Sequence, residues 1–204
     1  IASSDDAPDS ERQLLKLFRA RRCDALFVAS CLPEEDDSYR QLQDLGMPII
    51  AIDRTLPADR FCSVISDDRE ASMALTRSLL QPMPRQIALI GARPELSVSQ
   101  ARAAGFKQAL EGFDGEVLIE HGTAFSRECG RRIIDELLAR LGHFPDALVT
   151  TSYVLLQGMF DALLDHPEHK APARLATFGD TQLLDFLPLP VNAMGQQHQV
   201  IAET

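Results

Sequence analysis

The feature that most constrains this chain is a repeated alternation. Short apolar runs rich in Ile, Val and Leu occupy residues 24–30, 48–53, 63–66, 86–91, 117–119, 147–151, 175–178 and 191–195. Between most of them lie segments whose apolar residues recur at helical spacing: 10–22, 37–45, 69–80, from 97–99 to about 113, 126–141, 153–164, 182–187 and 196–203. Strand–helix alternation with strands this short and apolar predicts parallel sheets covered by helices on both faces. The break near residues 66–69 predicts two α/β lobes rather than one sheet. Gly46, Gly142 and the prolines at 48, 82 and 84 stand where helices should stop.

The centre of the pattern is residues 86–113, QIALIGARPELSVSQARAAGFKQALEGF. It reads as a strand, a loop containing Pro94 and a helix start, the place where open α/β sheets bind ligands. Ser97 and Ser99 are both good helix N-caps. Arg102 falls in or just after the first turn, where a cation opposes the helix dipole at a cost of about 0.3–1 kcal/mol. A negative or polyhydroxylated group facing it would explain its presence; a solvated arginine lying along an alanine face is the bland alternative.

Charge narrows the partners. The net charge is −10 with a pI near 4.9, so this segment lacks the clustered Lys/Arg that phosphate contacts need. Nucleic-acid binding would have to come from another part of the protein. No apolar run approaches the length of a membrane span. No Met precedes Ile1, and the opening IASSDDAPDS is neither a signal peptide nor a natural start, so a longer parent chain is expected. Cys23, Cys31, Cys62 and Cys129 are scattered without C-x-x-C spacing. They suggest reduced thiols in a cytoplasmic protein, with a disulfide framework or zinc site as the alternative.

The predicted strands turn polar at their carboxyl ends. Asp53 and Arg54 follow PIIAI, and Ser97, Ser99 and Arg102 follow QIALI. Thr151 and Ser152 follow ALV, Asp180 follows ATFG, and Gln196 follows VNAMG. Phe125 lies in the loop after the 117–119 strand. Carboxylates accept from sugar hydroxyls and arginine forks onto phosphate oxygens. Each residue also has a structural explanation. Asp180 and Ser152 can cap helices, Asp53 and Arg54 can form an exposed ion pair, and Phe125 can be core. The five histidines, at 121, 143, 166, 169 and 198, show no metal-ligand spacing, and neither metal nor cofactor is expected. G-x-G-x-x-G, the P-loop, G-x-S-x-G and H-E-x-x-H are all missing, which counts against an enzyme.

In this order and spacing, PIIAIDR, QIALIGARPELSVSQARAAGF, DALVTTSYVLLQG, LATFGD and PVNAMGQQHQVIAE resemble the lactose-repressor family of bacterial transcription regulators, over nearly the whole chain. PELSVS, TTSYVLLQG and ATFGDTQLLDFL are closer to its fructose-repressor branch. The resemblance implies two Rossmann-like lobes, as in periplasmic binding proteins, with an effector cleft between them. Residues 1–67 would form the N-terminal lobe without its first strand and helix, 68–195 the C-terminal lobe, and 196–204 a crossover back. Lacking that first strand, the segment is not expected to fold well alone. The effector would be a fructose phosphate, chiefly fructose 1-phosphate, releasing an N-terminal helix-turn-helix domain from operator DNA. A homodimer or tetramer with no membrane partner is implied. Arg102 and Asp180 match effector-binding positions, and Asp53, Arg54, Phe125, Ser152 and Gln196 match cleft-lining ones. Ser152 stands where the family often has Asn. Arg102→Ala is expected to abolish effector binding with the fold near wild type. The rivals are a periplasmic solute-binding protein of the same fold and a sugar-phosphate enzyme.

Overall fold

The computed structural model describes residues 1–33, 35–179, 182–187 and 189–203. Asp180 therefore lies outside the described residues. The chain divides into two compact units, 1–66 with 198–204 and 67–197.

In the first unit, α1 (Pro8–Ala20) precedes β1 (Leu26–Val28), α2 (Ser38–Asp44), β2 (Ile49–Ile52) and β3 (Cys62–Val64). The three strands pair in parallel in the order β1-β2-β3. Pro8 opens α1, where its missing N–H has no helical partner to lose. Leu15 of α1 and Tyr39 and Leu42 of α2 pack on Leu26, Ile49 and Ala51. Phe27, which a two-residue period turns to the opposite face, is 68% exposed. Helix α7 (His198–Glu203) belongs to this unit.

The second unit begins with α3 (Asp68–Ser78). It continues through β4 (Gln86–Ala92), α4 (Ser97–Ala109), β5 (Glu116–Gly122), α5 (Arg127–Leu141), β6 (Ala147–Thr150), α6 (Tyr153–Asp165), β7 (Arg174–Phe178) and β8 (Val191–Met194). A 3₁₀ turn, Gln182–Phe186, precedes β8. All five strands are parallel, in the order β5-β4-β6-β7-β8.

The pleat explains why these strands read as unbroken apolar runs. Ile87, Leu89, Ala147 and Val149 meet Leu75, Leu79, Phe106 and Leu110 of α3, α4 and the residues that end them. Ala88, Ile90 and Leu148 meet Ile133, Ile134, Leu137, Leu155 and Met159 of α5 and α6 on the other face. Every residue of β4 is buried because both faces are covered. Glycine lets the helices close on each other. A Cβ at Gly105 of α4 would stand 2.1 Å from the Arg69 carbonyl of α3, and one at Gly158 of α6 2.1 Å from the Arg127 carbonyl of α5.

Two helix ends obey local rules: Asp67 and Ser126 cap α3 and α5 by accepting from Glu70 N and Cys129 N. One expectation is overturned. Neither Ser97 nor Ser99 caps α4; Leu96 occupies that position, and Ser97 is already helical. The Ser99 hydroxyl instead donates back to the Ala92 carbonyl at 2.7 Å, because the tight turn from Arg93 to Leu96 leads straight into the helix at Ser97.

Candidate functional site

The strand order of the second unit reverses at β4, since the chain crosses first to β5 on one side and then to β6 on the other. The crevice at the carboxyl ends of such a pair is the usual ligand position of a doubly wound sheet. Arg93, at the tip of β4, takes a left-handed φ of 49°, and Thr151 N continues the pairing of β6 by donating to Ile90 O at 2.9 Å.

Arg102 projects from α4 into this place, but it is neither solvated nor waiting. It is buried, and its Nε and Nη2 hold Asp68 Oδ1 at 2.7 Å. Nη1 donates to the Thr151 carbonyl at 2.6 Å, and the guanidinium carbon lies 4.1 Å from the Phe178 ring centroid. Asp68, in the first turn of α3, is thus the counter-charge that explains an arginine near a helix N-terminus. The side chain joins α3, α4 and the tips of β6 and β7. All three nitrogens of the guanidinium are engaged by these partners.

Around this strut the polar groups are unevenly committed. The Ser99 hydroxyl is buried and spent on Ala92. Thr151 Oγ1 is buried with no hydrogen-bond partner among the described residues. Ser152 is the N-cap of α6, yet its side chain makes no capping bond. Ser97 is half-buried as the first residue of α4, and Gln196 is half-buried after β8. Phe125 packs against the α5–α6 core and is half-buried there, in agreement with its structural reading.

In the first unit, Asp53 and Arg54 follow β2, and Asp53 has a left-handed φ of 65°. Arg54 forks onto Asp6, with Nη1 to Oδ1 at 2.5 Å and Nη2 to Oδ2 at 3.1 Å, and Nη1 also reaches Ser30 O at 3.4 Å. Arg54 is thus held in a half-buried clamp with Asp6, and the Asp53 charge acts on it as well. Burial alone would push the guanidinium's pKa down, but the bond and charge of Asp6 hold it above its ordinary value. Its Nε is buried without a partner among the described residues.

Glu11 escaped the sequence reading altogether. Buried at the start of α1, it accepts from Ser30 Oγ at 2.6 Å, from Cys31 N at 2.8 Å and from the Tyr39 hydroxyl. Burial, then the Glu11 carboxylate, pushes the Tyr39 hydroxyl's pKa far up. An acidic residue in a first helical turn is unremarkable in sequence, so no signal marked it.

The family model for periplasmic binding proteins and the sugar-binding domain of the LacI family matches residues 2–178. The chain belongs to this family. It is 70% identical to the Cra transcriptional dual regulator from Pseudomonas putida, solved in complex with fructose 1-phosphate, with a TM-score of 0.96 over 100% of this chain and 75% of that one. It is 45% identical to the fructose operon regulatory protein of Vibrio cholerae, over 100% of this chain and 62% of the relative. It is 37% identical to the catabolite repressor/activator of Escherichia coli, over 100% and 61%. The domain therefore spans about three fifths of the curated relatives it matches. At 18% identity, the transcription regulator CcpA of Lactococcus lactis shares the fold alone, with a TM-score of 0.79 over 98% of this chain and 73% of that one. Among the described residues, no helix of this LacI-family domain is long and apolar enough to cross a membrane.

Proposed function

We propose that this domain senses a fructose phosphate, fructose 1-phosphate in preference, for a bacterial transcription regulator of sugar and central carbon metabolism. The observation that carries the reading is the 70% identity, over the whole of this chain, to a regulator crystallised with that compound. In the second unit, Arg102 supplies N–H donors, Ser97, Ser99, Ser152 and Gln196 line the site, and Asp180 accepts from the sugar hydroxyls. In the first unit, Asp53 accepts hydroxyls and Arg54 exchanges Asp6 for an anionic or hydroxyl oxygen. Phe125 acts from the core behind the β5–α5 loop.

The mechanism is a population shift. Effector can move the protein off operator DNA only by binding one arrangement of the full regulator better than another. DNA contact falls to an N-terminal helix-turn-helix domain outside this segment, in keeping with the charge of −10 found here. The assembly is a cytoplasmic homodimer or tetramer that binds effector without turning it over.

Calorimetric titration with fructose 1-phosphate, against fructose and fructose 6-phosphate, tests this. Binding at about micromolar strength, near 8 kcal/mol, by the 1-phosphate alone is the expected result. Equal binding of all three, or of none, refutes the effector assignment.

A further inference from the structure

The five histidines carry no metal-ligand spacing in sequence, yet the fold gathers two of them. His166 ends α6, and the residues after it, His166-Pro167-Glu168-His169, fold into a turn closed by His169 N donating to His166 O at 3.0 Å. Pro167 occupies the second position of that turn, where its restricted φ is already suitable. The turn brings one donor atom each from His166, Glu168 and His169 within 4.8 Å of one another.

The separations have the size of a coordination shell. Glu168 Oε1 lies 3.3 Å from His166 Nδ1 and 3.6 Å from His169 Nε2. Tetrahedral zinc with N and O ligands at about 2.0–2.1 Å has donor–donor edges of roughly 3.3–3.4 Å. As hydrogen bonds these contacts are long; as edges of a metal polyhedron they need little adjustment.

The surroundings hold the ligands in place. His166 Nε2 lies 3.3 Å from Asp135 Oδ1 of α5, so a proton on Nε2 leaves the Nδ1 lone pair facing Glu168. A carboxylate behind a ligating imidazole is the usual orienting device in such sites. Asp135 Oδ2 is also 3.5 Å from Arg131, whose charge is shared with Asp165 at 2.5 Å. The His169 ring packs edge-on against Phe144, with centroids 6.4 Å apart.

The geometry points to a divalent transition-metal site formed by His166, Glu168 and His169, with a fourth position open to water and Asp135 as the positioning residue. Two imidazoles and one carboxylate suit zinc, cobalt or nickel better than magnesium or calcium. A bound ion would fix the turn after α6, which Asp135 links to α5 through His166, and stabilise the second unit by mass action. The site is independent of the effector reading.

The test is titration of the chain with zinc against a chromophoric chelator, with cobalt absorption as a second readout. One zinc per chain is expected, with affinity near the micromolar range. His169→Gln and Glu168→Gln should each weaken binding at least about tenfold, and Asp135→Asn about tenfold through loss of orientation. Cys62→Ser removes an exposed thiol that zinc could take instead, and it should change nothing. These side chains lie outside the core, so circular dichroism should be unaltered in every variant. No binding at about 100 μM zinc, or an unchanged stoichiometry and affinity in the His166→Gln/His169→Gln double variant, overturns the site.

Discussion

Truncating Arg102 should unfold more than a binding site. In Arg102→Ala, the buried Asp68 carboxylate loses a guanidinium that holds it through two nitrogens at 2.7 Å. The Thr151 carbonyl loses its 2.6 Å donor, and the Phe178 ring loses the cation stacked on it. Breaking one partner of a buried ion pair costs about 3–5 kcal/mol, because the other charge stays behind. The hydrogen bond to Thr151 and the cation–π contact are partly contained in that figure, so the estimate stays at about 3–5 kcal/mol rather than their sum. The expectation that the variant keeps its stability treated Arg102 as an effector-binding side chain alone, and its burial against Asp68 argues for a structural share as well. Because the two units need not unfold together, the assay should isolate the second. Amide exchange in β4, whose residues are all buried, should accelerate by roughly 10²–10⁴-fold at that cost. The double variant Arg102→Ala/Asp68→Ala should recover at least about 1–2 kcal/mol relative to the sum of the single changes. Exchange within about threefold of wild type, with additive single variants, would refute the strut.

The same unit should be intolerant of Gly105→Ala, whose Cβ meets the Arg69 carbonyl at 2.1 Å and Ser72 Cβ at 2.9 Å. Forcing α3 from α4 should cost about 1–3 kcal/mol, read as a lower denaturation midpoint; an unmoved midpoint refutes the close approach. In the first unit, burial pushes the Asp36 carboxyl's pKa up, but Ser38 and Arg12 outweigh it and the net value is lowered. A lowered native pKa means stability that is present above the unfolded value and lost as pH falls through the native one. Acid titration below about pH 4 should therefore destabilise this unit, and Asp36→Asn should flatten that part of the profile; an identical profile refutes the assignment. Fructose 1-phosphate and zinc titrations supply the remaining tests, and each should be insensitive to the other ligand.

The elements were legible because both-face burial and helical spacing are written in the order of residues. Thus the run QIALIG is β4 within one residue, and Ser126 and Gly142 bracket α5, with Gly142 at a φ of 74°. The errors came where a side chain's partner is remote in sequence. Ser99 resembled a cap but bonds seven residues back to Ala92. Arg54, whose structural alternative was a pair with its neighbour, holds Asp6, 48 residues away. Glu11, which no spacing marked, is the acceptor of a buried cluster reached across 19 and 20 residues.

The alternation and the strand-tip residues were settled by the sequence itself. The strand order that places Arg102 beside Thr151, the Asp68 that neutralises it and the Asp135 that packs behind His166 came only with the tertiary structure. The reason is one of range. Burial patterns and turn residues are set by local periodicity and backbone sterics, which act over a few residues. The commitment of a charge depends on which opposite charge packing brings within about 4 Å, where low dielectric makes the pairing strong. That distance is set by how the helices and sheet close together, and no spacing along the chain encodes it.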